Sequence, residues 1–114
     1  SSAASDVYKR QAQEEQSKIQ FQTTLLKAGN EVSNALYQYQ MTSEKAISRE
    51  IQVNSARKAA EDTKELFNLG TSTYLEVLSA EQSYLSAQTS EVSDTFDRMQ
   101  AVISLYQALG GGRK

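Results

Sequence analysis

The sequence predicts an all-α fold, a long antiparallel helical hairpin with arms of unequal length. The 114 residues contain no proline and only five glycines, so little in the chain can interrupt a helix. Apolar and small residues recur every seven positions along most of the chain, which is typical of helices that pack side by side. Gly70 stands between the two periodic stretches, and a glycine can end a helix in the left-handed conformation at little cost.

The first helix is predicted over about residues 5–69, with Ser5 or Asp6 as its N-cap. Gly29 and Asn30 are the weak point of this long pattern, so we expect any kink to lie at 29–30. Residues seven apart form its apolar row, which is Leu25, Val32, Tyr39, Ala46, Val53, Ala60 and Phe67.

A tip turn is predicted at residues 70–72, between the two helices. Thr73 and Glu76 match a capping box, in which a hydroxyl and a carboxylate three residues apart accept hydrogen bonds from free backbone N–H groups. Two helices joined by so short a turn must run antiparallel.

The second helix is predicted over about residues 73–109, followed by a flexible tail at 110–114 that begins with the helix-ending Gly110. Asp94 and Arg98, one turn apart, are expected to form an ordinary surface ion pair. Two rows three residues out of step are expected to form one packing face: Leu78, Leu85, Val92, Met99 and Tyr106, with Leu75, Gln82, Thr89, Phe96 and Ile103.

Other features indicate that the hairpin has further neighbours. Apolar residues outside the main rows broaden the apolar stripe, as in helices that contact more than one partner. At about 1.5 Å per residue the arms would be about 95 and 55 Å long, so everything before Gly29 overhangs. The overhang carries unpartnered apolar residues, including Phe21 and Leu26. We therefore expect the chain to be part of a larger protein, and the isolated chain to self-associate or to fray at the overhang.

Composition excludes several function classes. Twelve basic against fourteen acidic residues give a net charge of −2, which argues against nucleic-acid binding. The absence of cysteine and histidine excludes zinc sites and cysteine or histidine catalysis within the chain. Asp94 and Asp97 are expected on a solvated face and not as a catalytic dyad. The chain is predicted to be no enzyme, with no metal and no cofactor. No apolar run is long enough to span a membrane, and residues 1–5 lack the features of a signal peptide.

Three motifs carry a resemblance to a known family. Residues 69–88 read Leu-Gly-Thr-Ser-Thr-Tyr-Leu-Glu-Val-Leu-Ser-Ala-Glu-Gln-Ser-Tyr-Leu-Ser-Ala-Gln, and residues 105–112 read Leu-Tyr-Gln-Ala-Leu-Gly-Gly-Gly. Upstream, residues 21–28 read Phe-Gln-Thr-Thr-Leu-Leu-Lys-Ala. In this order and spacing, over about residues 19–112, they resemble the C-terminal periplasmic hairpin of TolC/OprM-type outer-membrane factors.

The resemblance implies a role in export across the outer membrane of a Gram-negative bacterium, with this segment in the periplasm. Members are homotrimeric channels that work with an inner-membrane pump and a periplasmic adaptor. The turn residues Gly70, Thr71, Ser72 and Thr73 would dock the adaptor.

The resemblance also implies that acidic residues just after the turn line a pore gate. Glu76 stands at the first such position, while the second, usually aspartate, is Ser79. The capping box offers Glu76 a purely structural role as well.

Two alternatives remain open from the residues themselves. A structural or signalling coiled-coil hairpin would have cleaner apolar seams and equal arms. The adaptor's own hairpin would be flanked by β-segments rich in glycine and valine, and no such segment occurs in the chain.

Overall fold

Two helices make up the computed structural model, which describes residues 2–111. Helix α1 spans Ser2–Asn68 and helix α2 spans Tyr74–Ala108, and residues 2–111 contain no strand. The helices pack on each other in a body of 102 × 23 × 16 Å. The predicted all-α hairpin with unequal arms is confirmed.

At the turn, the ends of both helices lie within one residue of the predicted ends, but α1 starts earlier than predicted. Ser5 and Asp6 both lie inside α1, so the predicted N-cap at these residues is wrong. Nothing in the residues before them disfavours a helix, and α1 therefore extends to Ser2. α1 is also helical through Gly29 and Asn30. Of the predicted tail, Gly110 and Gly111 form a turn, and residues 112–114 lie outside the described residues.

The first part of α1 projects beyond the end of α2. Residues 2–31 are all exposed, Val32 is the first half-buried residue, and Ala35 is the first buried one. The exposed apolar side chains of this overhang are Val7, Tyr8, Ile19, Phe21, Leu25 and Leu26. The predicted overhang is thus present over about thirty residues, a little under half of α1.

On α1, the seam between the helices follows the predicted row. Val53 and Ala60 are buried, and Val32, Tyr39 and Ala46 are half-buried. The two end members of the row, in the overhang and beside the turn, are exposed. Seven-residue spacing therefore identified the packing face of the first helix correctly.

On α2, the predicted packing face is wrong. The residues that face α1 are Val77, Ala80, Tyr84, Ala87, Glu91, Asp94, Ala101, Leu105 and Ala108. The larger apolar residues of the two predicted rows are exposed on the other side of the helix, with Leu75 75% and Val92 71% exposed. We call these residues the outer stripe: Leu75, Leu78, Leu85, Val92, Phe96, Met99, Ile103 and Tyr106.

The seam is built mainly from small side chains. Its buried apolar members are four alanines and two valines, and no side chain of large volume is fully buried in the described residues. Small residues allow two helix backbones to approach closely, which is favourable for dispersion contacts. The hairpin therefore buries little apolar area for its length and leaves its bulkiest apolar residues outside.

Neither α1 nor α2 has a segment apolar enough to cross a membrane within the described part of the chain.

Candidate functional site

The tip of the hairpin ends α1 in a well-defined backbone turn. Gly70 has a φ of +78°, the left-handed conformation that glycine adopts without the steric cost of a Cβ. Its N–H donates to the carbonyl of Phe67 (3.0 Å), and the N–H of Thr71 donates to that of Leu66 (2.9 Å). This pair of bonds is the Schellman arrangement, which satisfies carbonyls that the last helical turn leaves free.

The start of α2 is fixed by the predicted capping box. The Thr73 hydroxyl accepts from the N–H of Glu76 (3.2 Å), and the Glu76 carboxylate accepts from the N–H of Thr73 (3.3 Å). Both orphan donors are thereby satisfied, and the carboxylate lies where the helix dipole favours a negative charge. Glu76 is nevertheless exposed, so the same side chain caps α2 and remains in contact with solvent.

Hydroxyl groups tie the turn between the two caps back to α1. The Ser72 hydroxyl donates to the carbonyl of Thr63 (2.9 Å), and the Thr71 hydroxyl donates to that of Leu66 (3.0 Å). Ser72 is half-buried as a result, while Gly70, Thr71 and Thr73 are exposed. The turn therefore presents a short, firmly held and mostly small-residue surface.

Apolar side chains surround this turn, a feature that the sequence reasoning did not single out. Leu69, Tyr74 and Leu75 are exposed at the tip, and the ring of Tyr74 lies 5.9 Å from that of Phe67, centroid to centroid. Because these residues directly precede and follow the turn in the sequence, their exposure at the tip could have been predicted. The tip is thus a polar turn with an apolar rim.

Further along the hairpin, a buried ion pair joins the two helices. Asp94 is 6% exposed, and its carboxylate accepts from Nε of Arg49 (2.6 Å) with Nζ of Lys45 at 3.5 Å. Arg49 also donates to the side-chain oxygen of Gln52 (2.8 Å). The expected Asp94–Arg98 surface pair is therefore wrong, because the Asp94 side chain is directed across the seam to α1.

The environment of Asp94 favours its ionised form. The hydrogen bond from Arg49 lowers the pKa of the carboxyl most, and the charges of Arg49 and Lys45 lower it further. Burial raises the pKa, since it disfavours the charged form, but the two cations outweigh it. The hairpin therefore has a charged carboxylate held inside its seam at neutral pH.

A groove runs along each side of the seam, and the residues that line the two grooves differ in character. One groove encloses about 870 Å³ and is lined in part by Gln38, Lys45, Asp97 and Gln100. This side continues along α2 as an unbroken row of polar residues, which we call the polar face: Glu76, Ser79, Ser83, Ser86, Ser90, Ser93, Asp97, Gln100, Ser104 and Gln107. All of them are exposed except the half-buried Ser90. The candidate gate residues Glu76 and Ser79 lie at one end of it.

The groove on the opposite side of the seam is smaller, about 380 Å³, and carries charges of both signs. Arg57, Glu50 and Glu91 line it together with Thr95. It borders the outer stripe, so we call this side the mixed face. Asp94 lies between the two grooves and contributes to both.

Of the three tyrosines of α2, Tyr84 is half-buried in the seam. Tyr74 and Tyr106 are both 62% exposed. The ring of Tyr106 lies against Gly111, where a Cβ would come within 2.5 Å of it. Within residues 2–111, no group of three or more acidic side chains is arranged to hold a metal ion.

Comparison with known proteins places this hairpin in a family. The family model described as outer membrane efflux protein matches residues 1–111. The chain is 29% identical over 99 residues to the cation efflux system protein CusC of Escherichia coli (strain K12), which is 87% of this chain and 22% of that protein. Family membership removes the adaptor's own hairpin as an explanation of the fold.

Two further relatives match to a similar extent. The probable outer membrane lipoprotein SilC of Salmonella typhimurium is 28% identical over 99 residues, again 87% of this chain and 22% of that protein. The pyoverdine export outer membrane protein OpmQ of Pseudomonas putida is 28% identical over 102 residues, which is 90% of this chain and 22% of that protein. No solved structure matches the chain.

The chain spans about a fifth of the length of these curated relatives. Within that length the match covers both helices and the turn between them. The chain belongs to the outer membrane efflux protein family, of the TolC type.

Proposed function

We propose that the hairpin is a periplasmic wall segment of a trimeric outer-membrane export duct, anchored in the outer membrane by parts of the protein outside this chain. The observation that carries the proposal is the outer stripe of α2. Its eight apolar residues run along the helix on the side away from α1 and are exposed in the hairpin. A stripe of this size requires another helix to cover it. A closed ring of hairpins provides that helix for every copy.

The overhang of α1 supports the same proposal. Phe21, Leu25 and Ala28 continue the seven-residue spacing of the α1 seam beyond the end of α2. These residues are exposed because α2 stops at Ala108. In the complete protein, the overhang would run on towards the membrane and pack against segments that this chain lacks.

At the tip, we propose that the turn Gly70, Thr71, Ser72 and Thr73 docks a periplasmic adaptor that links the duct to an inner-membrane pump. The two caps and the hydroxyl bonds fix the backbone, so docking would cost little ordering entropy. Leu69 and Leu75 supply exposed apolar contacts beside the polar turn. Such a surface fits another narrow helical tip.

Cysteine crosslinking in the full-length channel would test the docking proposal. Thr71 is the better tip position because it is exposed, whereas Ser72 is half-buried against Thr63. A Thr71→Cys channel should crosslink to a cysteine at the adaptor's hairpin tip through a short bifunctional reagent. The matched control Ser93→Cys, about 30 Å along α2 from the tip, should not. Equal crosslinking at both positions would reject tip-to-tip docking.

We further propose that Glu76 and Ser79, on the polar face next to the turn, line the mouth of the duct. Three copies of Glu76 around a constriction would favour cations. Glu76→Gln separates this role from capping, because glutamine also serves in a capping box while it removes the charge. The single-channel conductance or ion selectivity should change in Glu76→Gln, and identical currents would eliminate the gating role.

The relatives' names point to different cargo, cations for CusC and pyoverdine for OpmQ. The proposal therefore concerns the duct and its docking tip, which such systems would share.

A further inference from the structure

We propose that residues 23–30 of α1 form a hinge, about which the paired part of the hairpin swings as one rigid body relative to the overhang. The hinge is a property of α1 itself and does not depend on the duct function. Its effect on the mouth of the duct does rest on that function. A hinge accounts for a glycine inside a helix that continues unbroken past it.

The hinge lies where α1 loses its partner helix. Below this point α1 packs on α2, and Nε of Arg49 joins the carboxylate of Asp94 at 2.6 Å. Residues 2–31 are all exposed, because α2 ends at Ala108. A segment with few buried contacts is locally less stable than a packed one. Bending of α1 should therefore concentrate just above Val32, the first half-buried residue.

The residues of the hinge are poor helix formers for so long a helix. Residues 23–30 read Thr-Thr-Leu-Leu-Lys-Ala-Gly-Asn. Threonine and asparagine have low helix propensity, and that of glycine is lower still. The earlier residues 9–18, Lys-Arg-Gln-Ala-Gln-Glu-Glu-Gln-Ser-Lys, are mostly strong helix formers. The backbone is thus weakest directly before the paired part of α1 begins.

Two neighbouring hydroxyl groups weaken the same segment further. Thr23 and Thr24 donate to the carbonyls of Ile19 and Gln20, four residues earlier, at 2.9 Å each. Such bonds compete with the backbone ladder and often bend a helix. The other threonines that bond in this way stand singly in the part of the hairpin where the helices pack: Thr42, Thr63, Thr89 and Thr95.

Gly29 is not required by packing within the hairpin or by its own conformation. A Cβ at this position would meet no atom within 4 Å, and its φ is not positive. Alanine would fit the same space and restrict the backbone more. Glycine therefore contributes backbone freedom at this position, as a hinge requires.

A small rotation at the hinge moves the tip by a large distance. Gly70 lies about 60 Å along α1 from Gly29, so a rotation of about 5° displaces the tip by about 5 Å. In the proposed duct, three hairpins that turn together would widen or narrow the mouth by this amount. The seam and both caps would stay intact during the motion.

Residual dipolar couplings of the backbone amides in the purified, weakly aligned chain test the hinge. A rigid α1 gives residues 5–20 and 36–66 one common alignment. A hinge should reduce the couplings of residues 5–20 as a block by about a third, with the step at residues 23–30. Equal couplings in both parts, or a gradual decline towards Ser2 that indicates fraying, would overturn the hinge.

A stiffened variant tests which residues are responsible. It carries three substitutions inside the hinge: Thr23→Ala, Thr24→Ala and Gly29→Ala. The matched control carries three substitutions that raise the helix propensity of the overhang outside the hinge: Ser2→Ala, Ser5→Ala and Ser17→Ala. The stiffened variant should bring the couplings of the two parts to within about 10% of each other, whereas the control should keep the step. A step that persists in the stiffened variant, or disappears in the control, would contradict the assignment.

Single-channel recordings of the full-length protein test the effect on the mouth. Transitions between closed and open levels should be at least about two-fold rarer in the stiffened variant, and unchanged in the control. Equal transition rates in the stiffened variant and the wild type would reject the role at the mouth. A stiffened variant that no longer assembles would mean that Gly29 admits a neighbouring helix, and would remove it from the hinge. A wild-type protein without a conducting pore would instead reject the duct function, while the couplings still decide the hinge.

Discussion

We predict that the Arg49–Asp94 ion pair holds the two helices in register. Asp94 has a side chain only 7% exposed, whereas that of Arg49 is 22% exposed and has a second partner in Gln52. Arg49→Gln leaves the carboxylate inside the seam with Lys45 alone, at 3.5 Å. Removing one partner of a buried pair costs about 3–5 kcal/mol, and the remaining cation reduces this to about 2–3 kcal/mol.

The converse change should cost less. In Asp94→Asn the guanidinium keeps Gln52 and its access to water, so we expect a loss of about 1–2 kcal/mol. The double variant should be less unstable than the sum of the single variants by at least about 1 kcal/mol. Asp97→Asn is the matched control, because it removes the same charge from an exposed position one turn away and should change stability by less than about 0.5 kcal/mol.

Urea unfolding of the purified chain, followed by circular dichroism at equal protein concentrations, measures these differences. With a slope of about 2 kcal/mol per molar urea, Arg49→Gln should lower the midpoint by about 1–1.5 M. Additive effects of the two single variants, or an equal loss in Asp97→Asn, would refute the claim that this pair joins the helices.

Acidification provides an independent check of the same pair. The folded-state pKa of Asp94 is lowered from an ordinary value of 3.8, so the stability from this carboxylate is fully present above about pH 4. It is lost as the pH falls through the lower folded-state pKa. The stability gap between wild type and Arg49→Gln should therefore narrow below pH 4, whereas a constant gap would mean that Asp94 ionisation does not contribute to it.

Three smaller predictions concern the backbone and the seam, each measured by the same unfolding assay. Gly70→Ala should cost about 1–2 kcal/mol. A Cβ there meets no neighbour, so the whole cost comes from the strain of the positive φ. Gly29→Ala, in the exposed part of α1, should instead stabilise the helix by about 1 kcal/mol. Thr73→Ala should cost about 1 kcal/mol by removing the cap. Ala87→Leu should cost about 1–3 kcal/mol by overpacking the seam, and Leu85→Ala on the outer stripe should cost less. A stabilising Gly70→Ala, a neutral Thr73→Ala or a tolerated Ala87→Leu would contradict the corresponding contact.

The conformation of the tip could be predicted from the sequence because it depends on residues close together in the chain. Gly70, Thr73 and Glu76 act within a few residues of each other, so their roles can be read from spacing alone. The seam row of α1 was also predictable, because its valines and alanines have no strong competitor at another phase of the helix.

The seam of α2 was not predictable in the same way. Two seven-residue patterns run along this helix, and the stronger one, with Leu85 and Val92, faces away from α1. A heptad pattern reveals a packing face but not which neighbour it meets. Asp94 posed a similar problem, because its nearest cation in sequence is Arg98, while its partner Arg49 lies 45 residues earlier.

The small-residue seam determines which assays would detect harmful substitutions in this protein. In the proposed ring, the large apolar residues of the outer stripe, which are exposed in the single hairpin, would be buried only between hairpins. Substitutions such as Leu85→Ala would then leave the lone hairpin nearly intact and yet weaken the closed ring. A screen for folding of single subunits would overlook them, and a measurement of assembly would not.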